Sequence, residues 1–205
     1  SKQDEEREKK WKEYHSIYNQ YVNFYHDELL KNETCSAARD YLKIRSLNKV
    51  EVKKFKIGYV HKNPNFFEKM NKEFSEQTLI ETGLFYLDEK KKIYVERFRG
   101  RLIFPINNIT GQPIALGGRI IENIDYLAKY INSPETIFFK KGSNLYNLDS
   151  ARKLSNKIDH IFLVEGYMDV VGLSKSGIDN VVANLGTSLT DKQTLTLNQF
   201  FDDIV

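Results

Sequence analysis

The feature that most constrains the fold is an apolar run, Ile161–Val164, that is followed at once by Glu165 and Gly166. A short apolar run of this kind predicts a buried strand, and a glycine just past it lets the backbone turn sharply into a helix. Glu165 is therefore expected at the carboxyl end of a strand, where open α/β sheets bind their ligands. Asp169 follows in the first turn of the predicted helix, where a negative charge is favoured.

A pair of carboxylates at one strand–helix junction suits a divalent metal. Hard cations such as Mg²⁺ take oxygen ligands, and a bound metal would relieve the repulsion between Glu165 and Asp169. The same residues also fit a structural role, in which the strand edge is simply buried and Asp169 only begins the helix. These residues alone leave both interpretations open.

The rest of the carboxyl-terminal segment repeats the strand–helix rhythm. The predicted elements are a helix over 168–175, a strand over 181–185, a helix over 191–201 and the start of a third strand at 203–205. This order indicates a parallel sheet with right-handed crossovers. The small residues Gly186–Ser188 are expected beside Glu165 at the same sheet edge, where they would permit the close approach of a ligand.

The amino-terminal part is predicted to be a helical scaffold. Large apolar residues recur at steps of three and four and trace one face of a long helix that ends near Lys31: Trp11, Tyr14, Tyr18, Tyr21, Tyr25 and Leu29. Such a stripe is more often a packing face than a binding platform. The highly charged residues before Trp11 are expected to be frayed or to be the remnant of a linker. Further predictions are a helix through Leu42 capped by Thr34 or Ser36, helices over 50–55, 65–74 and 76–82, and an extended segment over 57–60.

Short β runs replace the helices in the middle of the chain, over 84–87, 102–106 and 114–121. Between them, alternation would put Arg97, Arg99 and Arg101 on one side of an extended segment and Phe98 on the other. Neighbouring guanidinium groups repel each other unless an anion lies across them, and their planar forks suit phosphate oxygens. A solvated basic turn is the alternative, but Arg119 adds a further candidate and favours phosphate.

A polar segment, Lys129–Thr136, contains a proline and cannot be a regular element throughout. With Lys140 and Lys141 it could hold a nucleic-acid backbone or a nucleotide, or it could be a surface loop. Residues 97–141 include seven basic and three acidic residues, whereas the segment from Asp159 onward includes seven acidic residues and two lysines. Basic surface beside an acidic site is expected of an enzyme that handles nucleic acid and nucleotides, although a solvated surface could give the same charges.

Composition narrows the class of protein further. The chain has 205 residues, 40% of them hydrophobic, and a formal net charge of +3, which allows a sizeable core and one or two domains. Cys35 is the single cysteine, so neither a disulfide nor a cysteine-rich zinc site can be built within the chain. No apolar run approaches the roughly 20 residues needed to cross a bilayer, and the charged amino end does not contain the apolar segment of a signal peptide. We therefore predict a location in the cytoplasm or an organelle interior, without a membrane partner.

Several motifs resemble one family. Val164–Val171 and Ala183–Ser188 look like the first half of the Toprim domain of a DnaG-type primase. Upstream motifs of that family occur in the same order: Arg97–Ile106, Gly117–Arg119, Lys129–Thr136, Lys141 with Gly142, and Leu145 with Tyr146. Other Toprim proteins, such as topoisomerases and recombination factors, share the glutamate and the fold but not these upstream motifs. The resemblance runs from about Tyr14 to the end of the chain.

The resemblance implies an RNA polymerase core that makes short primers on single-stranded DNA by metal-dependent nucleotidyl transfer. Glu165 would be the catalytic acid and a metal ligand, with Asp169 supporting it and Mg²⁺ or Mn²⁺ as cofactor. The groove for template DNA, RNA primer and ribonucleoside triphosphates would be lined by basic and polar residues: Arg97, Arg99, Arg101, Arg119, Lys129, Tyr130, Asn132 and Lys141. A groove that reads the backbone predicts weak sequence preference.

The resemblance also implies a fold class. An α+β amino-terminal subdomain, made of helices and short, mostly antiparallel strands, would precede the first part of an α/β Toprim fold with a parallel sheet. We predict an amino-terminal helix over 1–31, the basic amino-terminal subdomain over 32–157 and an incomplete Toprim subdomain over 158–205.

The chain also departs from the family pattern. An Asp-x-Asp metal motif is expected beyond Val205, and the zinc-binding and helicase-binding domains are expected outside this chain, so zinc and the replicative helicase would bind elsewhere. The segment between Arg119 and Lys129 is slightly longer than usual and lacks a proline before the Lys–Tyr pair, and Ile137 replaces a polar residue. Because Glu165 and its neighbour Asp169 are too few ligands for a two-metal site, we expect this fragment alone not to polymerise.

Two other functions stay open on the sequence. One is a non-catalytic module that binds single-stranded nucleic acid and never completes the acidic site. The other is a different Toprim enzyme, a nuclease or a topoisomerase, although the tyrosine-nucleophile context of a topoisomerase is not found in this span. A primase would work at the replication fork in the bacterial nucleoid, or in an organelle interior if the source is a plastid-bearing eukaryote.

Overall fold

One long helix forms the base of the amino-terminal half. A computed structural model describes residues 2–205, and α1 runs over Lys2–Lys31. The predicted aromatic stripe is its packing face, because Tyr18, Tyr21 and Tyr25 are at most 1% exposed. The helix begins at Lys2 instead of after a frayed segment, which corrects that prediction. An ion pair one helical turn apart, between Lys12 and Glu8 at 2.7 Å, supports the charged first turns.

Four short helices follow α1. Asparagine side chains cap the amino ends of two elements in this region, the 3₁₀ turn before α2 and the helix α3. The helices are α2 Ser36–Ile44, α3 Lys49–Lys54, α4 Phe66–Met70 and α5 Glu76–Glu81. Asn32 caps the 3₁₀ turn that leads into α2 by accepting the N–H of Thr34, so the predicted cap at Thr34 or Ser36 was wrong. Asn48 forms a capping box with Glu51 at α3.

A four-stranded antiparallel sheet lies at the centre of this half, in the order β1–β4–β5–β6, and a separate hairpin pairs β2 with β3. The strands are β1 Gly58–Val60, β2 Phe85–Asp88, β3 Ile93–Glu96, β4 Arg101–Asn107, β5 Pro113–Ile120 and β6 Tyr130–Asn132. Six successive residues of β4 are buried. Because successive side chains point to opposite faces, both faces of the sheet are covered.

Gly117 and Gly118 of β5 let aromatic rings pack closely against the sheet. A Cβ on Gly117 would lie 2.2 Å from the ring of Tyr167, and one on Gly118 would lie 2.5 Å from the ring of Phe98. Both distances are far below van der Waals contact, so only glycine fits. The two glycines therefore serve the packing of the core next to Arg119.

Residues 97–100 form a turn, and the predicted extended segment was wrong. Gly100 has a φ of +71°, in the left-handed region that favours glycine, and Phe98 is fully buried against β5. Because the chain must turn to bury Phe98, the neighbouring arginines do not share one side. Arg97 donates to the Gly83 carbonyl, Arg101 reaches the segment before β6, and Arg99 is exposed.

A parallel sheet of three strands forms the carboxyl-terminal part, in the order β8–β7–β9. The short helix α6 Leu148–Ala151 precedes this part of the chain. The strands and helices of this part are β7 His160–Val164, α7 Tyr167–Lys175, β8 Val181–Ala183, α8 Asp191–Leu197 and β9 Asp203–Ile204. The predicted succession of strands and helices and the predicted parallel pairing are confirmed. Within residues 2–205, no helix is long and apolar enough to cross a membrane.

The segment before α6 joins the parallel sheet. Tyr146 and Ala183 exchange backbone hydrogen bonds of 2.9 and 3.2 Å as an antiparallel bridge. The side chain of Gln193 on α8 donates to the carbonyls of Lys141 and Asn144 at 3.0 and 2.8 Å. These contacts bind residues 141–146 to the parallel sheet and to α8, and the domain boundary between residues 157 and 158 stays a prediction.

Candidate nucleic-acid and metal interface

Glu165 lies where β7 ends and α7 has not yet begun, as the sequence predicts. Its side chain is exposed, and Gly166 is the N-cap residue of α7 in an extended conformation. Asp169 is also exposed and lies in the first turn of α7, with Oδ2 only 3.3 Å from the position a Cβ on Gly166 would take. A larger residue at Gly166 would crowd this carboxylate. The junction therefore presents Glu165 and Asp169 to solvent together.

The donor set at this junction fits part of a site for a hard cation. Glu165 and Asp169 offer carboxylate oxygens, which suit Mg²⁺ or Mn²⁺. Residues 2–205 contain no group of three or more His, Cys, Asp or Glu side chains that could hold a metal ion. The described residues thus supply some ligands of such a site, and a complete set would need a further donor.

The small residues after β8 leave the sheet beside Glu165. Val164 pairs with Ala183 in the parallel register, and Asn184 donates its N–H to the Val164 carbonyl at 3.3 Å. The chain then turns at Gly186, whose φ is +75°. The predicted neighbourhood of Gly186–Ser188 and Glu165 at one sheet edge follows from this register.

Asn132 on β6 connects the four-stranded antiparallel sheet β1–β4–β5–β6, the basic sheet, to the turn that carries Glu165. Its side-chain nitrogen donates to the Leu185 carbonyl at 2.8 Å, and its side-chain oxygen accepts the hydroxyl of Tyr167. Tyr167 is 4% exposed and stacks on Phe104 of β4, with ring centroids 5.4 Å apart. Burial raises the pKa of Tyr167, so the hydroxyl stays a donor. Asn132, which the resemblance assigns to the groove, therefore holds the acidic edge against the basic sheet.

Two tyrosines surround the guanidinium group of Arg119. It donates to the hydroxyls of Tyr41 on α2 and Tyr130 on β6, and its central carbon lies 5.3 and 4.8 Å from their ring centroids. Arg119 is 5% exposed, whereas Tyr130 is 39% exposed. The structure thus brings Arg119 and Tyr130 together, but as partners of each other.

Arg101 and Arg97 are also engaged within the protein. Arg101 is 6% exposed and donates to the carbonyls of Ala128 and Lys129 at 2.8 and 3.2 Å. Arg97 donates to the Gly83 carbonyl at 2.6 Å. Burial lowers the pKa of both arginines, which nevertheless remain cations because free guanidinium has so high a pKa. Their donors hold loops in place.

Three of the predicted groove residues keep free cationic groups. Within residues 2–205, no side-chain hydrogen bond or ion pair engages Arg99, Lys129 or Lys141, and the first two are exposed. Lys141 is half-buried, and only its backbone is used, donating to Glu135 at 3.2 Å. These cations can meet phosphate without breaking a contact of the fold.

Arg45 was missed by the sequence reasoning. It is exposed at the end of α2, its guanidinium carbon lies 5.5 Å from the ring centroid of Tyr41, and it lines a cleft of about 270 Å³ with Arg119 and Lys129. The arginine follows Tyr41 by four residues, a spacing that brings a cation over a ring on a helix. That pair was the available signal, but nothing local links it to Arg119.

Fold and site together define a class: a two-part Toprim protein in which a basic antiparallel sheet is fixed against the acidic edge of a parallel sheet. Comparisons with known proteins support this class. The family of the DNA primase catalytic core, N-terminal domain, matches residues 24–152, and the Toprim domain matches residues 159–205. The DNA primase of Clostridium acetobutylicum is 41% identical over 174 residues, covering 83% of this chain and 28% of its own length.

Solved structures are similar over nearly the whole chain. The DnaG primase catalytic domain bound to single-stranded DNA has a TM-score of 0.86 at 32% identity, covering 95% of this chain and 60% of its own. The zinc-binding and RNA polymerase domains of Aquifex aeolicus primase give 0.85 at 33% identity, covering 95% and 47%. The chain belongs to the DnaG-type primase catalytic-core family. The predicted family and fold class are confirmed.

Proposed function

We propose that the chain is the part of a DNA primase that binds template and primer and supplies the first acids of the nucleotidyl-transfer site. The reaction would be the template-directed synthesis of short RNA primers on single-stranded DNA. The observation that carries the proposal is the Asn132–Tyr167 contact, because it fixes the turn after Glu165 against the basic sheet. Phosphates bound on the sheet would thus lie next to the carboxylates.

The cations divide into two groups in this proposal. Arg99, Lys129, Lys141 and Arg45 would contact phosphate, since their charged groups are free or lie on an open surface. The remaining predicted residues would position the groove: Arg97, Arg101, Arg119, Tyr130 and Asn132. Contacts of this kind read the backbone, which gives weak sequence preference.

Glu165 and Asp169 would hold Mg²⁺ or Mn²⁺ together with a further ligand. When bound, the metal neutralises phosphate charge and makes the attacking hydroxyl more acidic. Glu165 is exposed beside small residues, so a triphosphate can approach it closely. Because two carboxylates are an incomplete set, we predict that the 205-residue chain by itself does not extend a primer.

The proposal also defines partners and place. Ribonucleoside triphosphates and an RNA primer would share the groove with the template, and zinc and the replicative helicase would be bound outside residues 2–205. A protein of this function acts at the replication fork, which in a bacterium lies in the cytoplasm.

The test is single-stranded DNA affinity as a function of salt. The double variant R99E/K129E replaces two exposed cations of the groove, and K90E/K91E makes the same charge change on the exposed β2–β3 turn. We expect the groove variant to bind at least about tenfold more weakly and to lose roughly 0.7 of a unit of salt slope for each lost phosphate contact. Equal losses in both variants, or an unchanged slope in R99E/K129E, would contradict the groove.

A further inference from the structure

The loop that joins β5 to β6 displays an aromatic ring to solvent. Tyr126 is 87% exposed, the largest value among the exposed large hydrophobic residues of the described chain. Leu127 beside it is 42% exposed, and Tyr130 at the start of β6 is 39% exposed. Because its ring is so exposed, Tyr126 can contact a ligand without giving up packing contacts that stabilise the fold.

Several contacts hold this loop in shape. Arg101 donates to the carbonyls of Ala128 and Lys129, and the N–H of Ile120 donates to the Lys129 carbonyl at 3.1 Å, which closes the stem. Nearer the tip, Glu122 pairs with Lys62 at 2.6 Å. A loop with a fixed stem presents its tip with little loss of entropy on binding. The buried arginine Arg101 therefore serves the presentation of Tyr126.

The loop also forms one wall of the basic cleft. Ile121, Ile124 and Leu127 line the cleft of about 270 Å³ from the loop side. Arg45 and Lys129 line it as well, and the one acid in the lining, Glu122, is paired with Lys62. Tyr126 directly precedes Leu127 in the chain, so its exposed ring is next to a lining residue of a cleft that contains the free cation of Lys129. A ring beside a row of cations is the arrangement with which proteins bind single-stranded nucleic acid, since bases stack on the ring while phosphates meet the cations.

We propose that Tyr126 is a base-stacking residue for single-stranded nucleic acid whose phosphates lie on Arg45 and Lys129. This inference rests on the proposed function and deepens it. It assigns a contact to the segment between Arg119 and Lys129, which contains no proline and which the resemblance predicts to be slightly longer than usual. Because every base has a π-face, the contact would tolerate any sequence, and it would apply to a DNA template or an RNA primer.

The experiment compares oligomers that have the same phosphates with and without bases. Affinities of the 205-residue chain are measured by fluorescence anisotropy for labelled oligothymidylate, oligouridylate and an abasic DNA oligomer of equal length. We expect Tyr126→Ala to weaken the binding of oligothymidylate, oligouridylate or both by about fivefold or more and to leave abasic binding unchanged, whereas Tyr126→Phe keeps the affinity. Leu195→Ala removes a comparably exposed apolar side chain on α8 and should change neither affinity.

The outcomes separate the inference from the proposal on which it rests. A loss for thymidylate alone assigns the ring to template, and a loss for uridylate alone assigns it to primer. If Tyr126→Ala binds all three oligomers as the wild type does, or weakens abasic binding equally, the stacking role is overturned while the groove stands. If the wild-type chain binds none of them and shows no salt dependence, the proposed function fails together with the inference.

Discussion

The basic sheet and the Toprim edge use their charged residues in opposite ways. In the sheet, Arg101 and Arg119 are 6% and 5% exposed and donate to carbonyls or hydroxyls of the protein itself. At the Toprim edge, Glu165 and Asp169 are exposed, and no hydrogen bond or ion pair within residues 2–205 engages their carboxylates. A charged residue in a shared motif can therefore serve the fold or the ligand, and its burial and partners decide between the two.

The sharpest way to break this comparison is to remove a buried cation. Arg101→Met keeps an unbranched apolar stem and removes the donors to Ala128 and Lys129. We expect the free energy of unfolding to fall by about 2–4 kcal/mol, because charged hydrogen bonds are lost and a carbonyl is left without its partner. Chemical denaturation measures this change.

Arg99→Met is the matched control, since that arginine is exposed and its side chain makes no hydrogen bond or ion pair within residues 2–205. Its effect on stability should stay within about 0.5 kcal/mol. Equal destabilisation by both variants would show that burial does not separate the two kinds of arginine.

The basic half also contains a buried acid that contrasts with Glu165. Glu96 is 2% exposed and accepts the hydroxyl of Tyr25 and the N–H of Phe66 at 2.6 and 2.7 Å. Burial raises its pKa to about 7. The folded state therefore holds the proton more tightly than the unfolded state, so the stabilisation present below about pH 4.5 is lost as the pH rises to about 7.

We expect this loss to reach about 2–3 kcal/mol between pH 4.5 and 7. Glu96→Gln stays uncharged and should remove most of the decrease in urea midpoint over that range. A profile that is the same in wild type and Glu96→Gln would contradict the assignment.

Gly117 tests the contact between the two regions. A Cβ there would lie 2.2 Å from the ring of Tyr167, so Gly117→Ala should cost about 1–3 kcal/mol by overpacking. Gly172 on α7 has no atom within 4 Å of its Cβ position, and Gly172→Ala should stabilise the protein by about 0.5–1 kcal/mol through helix propensity. Thermal unfolding that moves both variants in the same direction would refute the close packing.

The strand–turn–helix around Glu165 could be predicted because its determinants are local. An apolar run, one glycine and a following helix lie within a few residues of each other, and the parallel register then follows from the repeated rhythm. Family motifs added the basic residues as candidates for the groove. Both kinds of information reside in neighbouring positions of the chain.

The roles of the arginines could not be read in this way, because their partners are distant. Tyr41 lies 78 residues before Arg119, and the carbonyls that Arg101 holds lie 27 and 28 residues after it. The motif Gly117–Arg119 predicts a phosphate-binding arginine, but the role of Gly117 and Gly118 depends on the rings of Tyr167 and Phe98 that pack on them. Only the folded structure shows which arginines use their N–H donors within the protein and which keep them free for a ligand.

The central claim is that the acidic edge and the basic sheet form one site joined at Asn132. Its most direct test is paramagnetic broadening by Mn²⁺ of the backbone amide signals of the ¹⁵N-labelled chain. The account predicts broadening at residues 165–169, 184–186 and 132, and its loss in the double variant E165Q/D169N. Broadening confined to other surfaces, or unaffected by that variant, would contradict the claim.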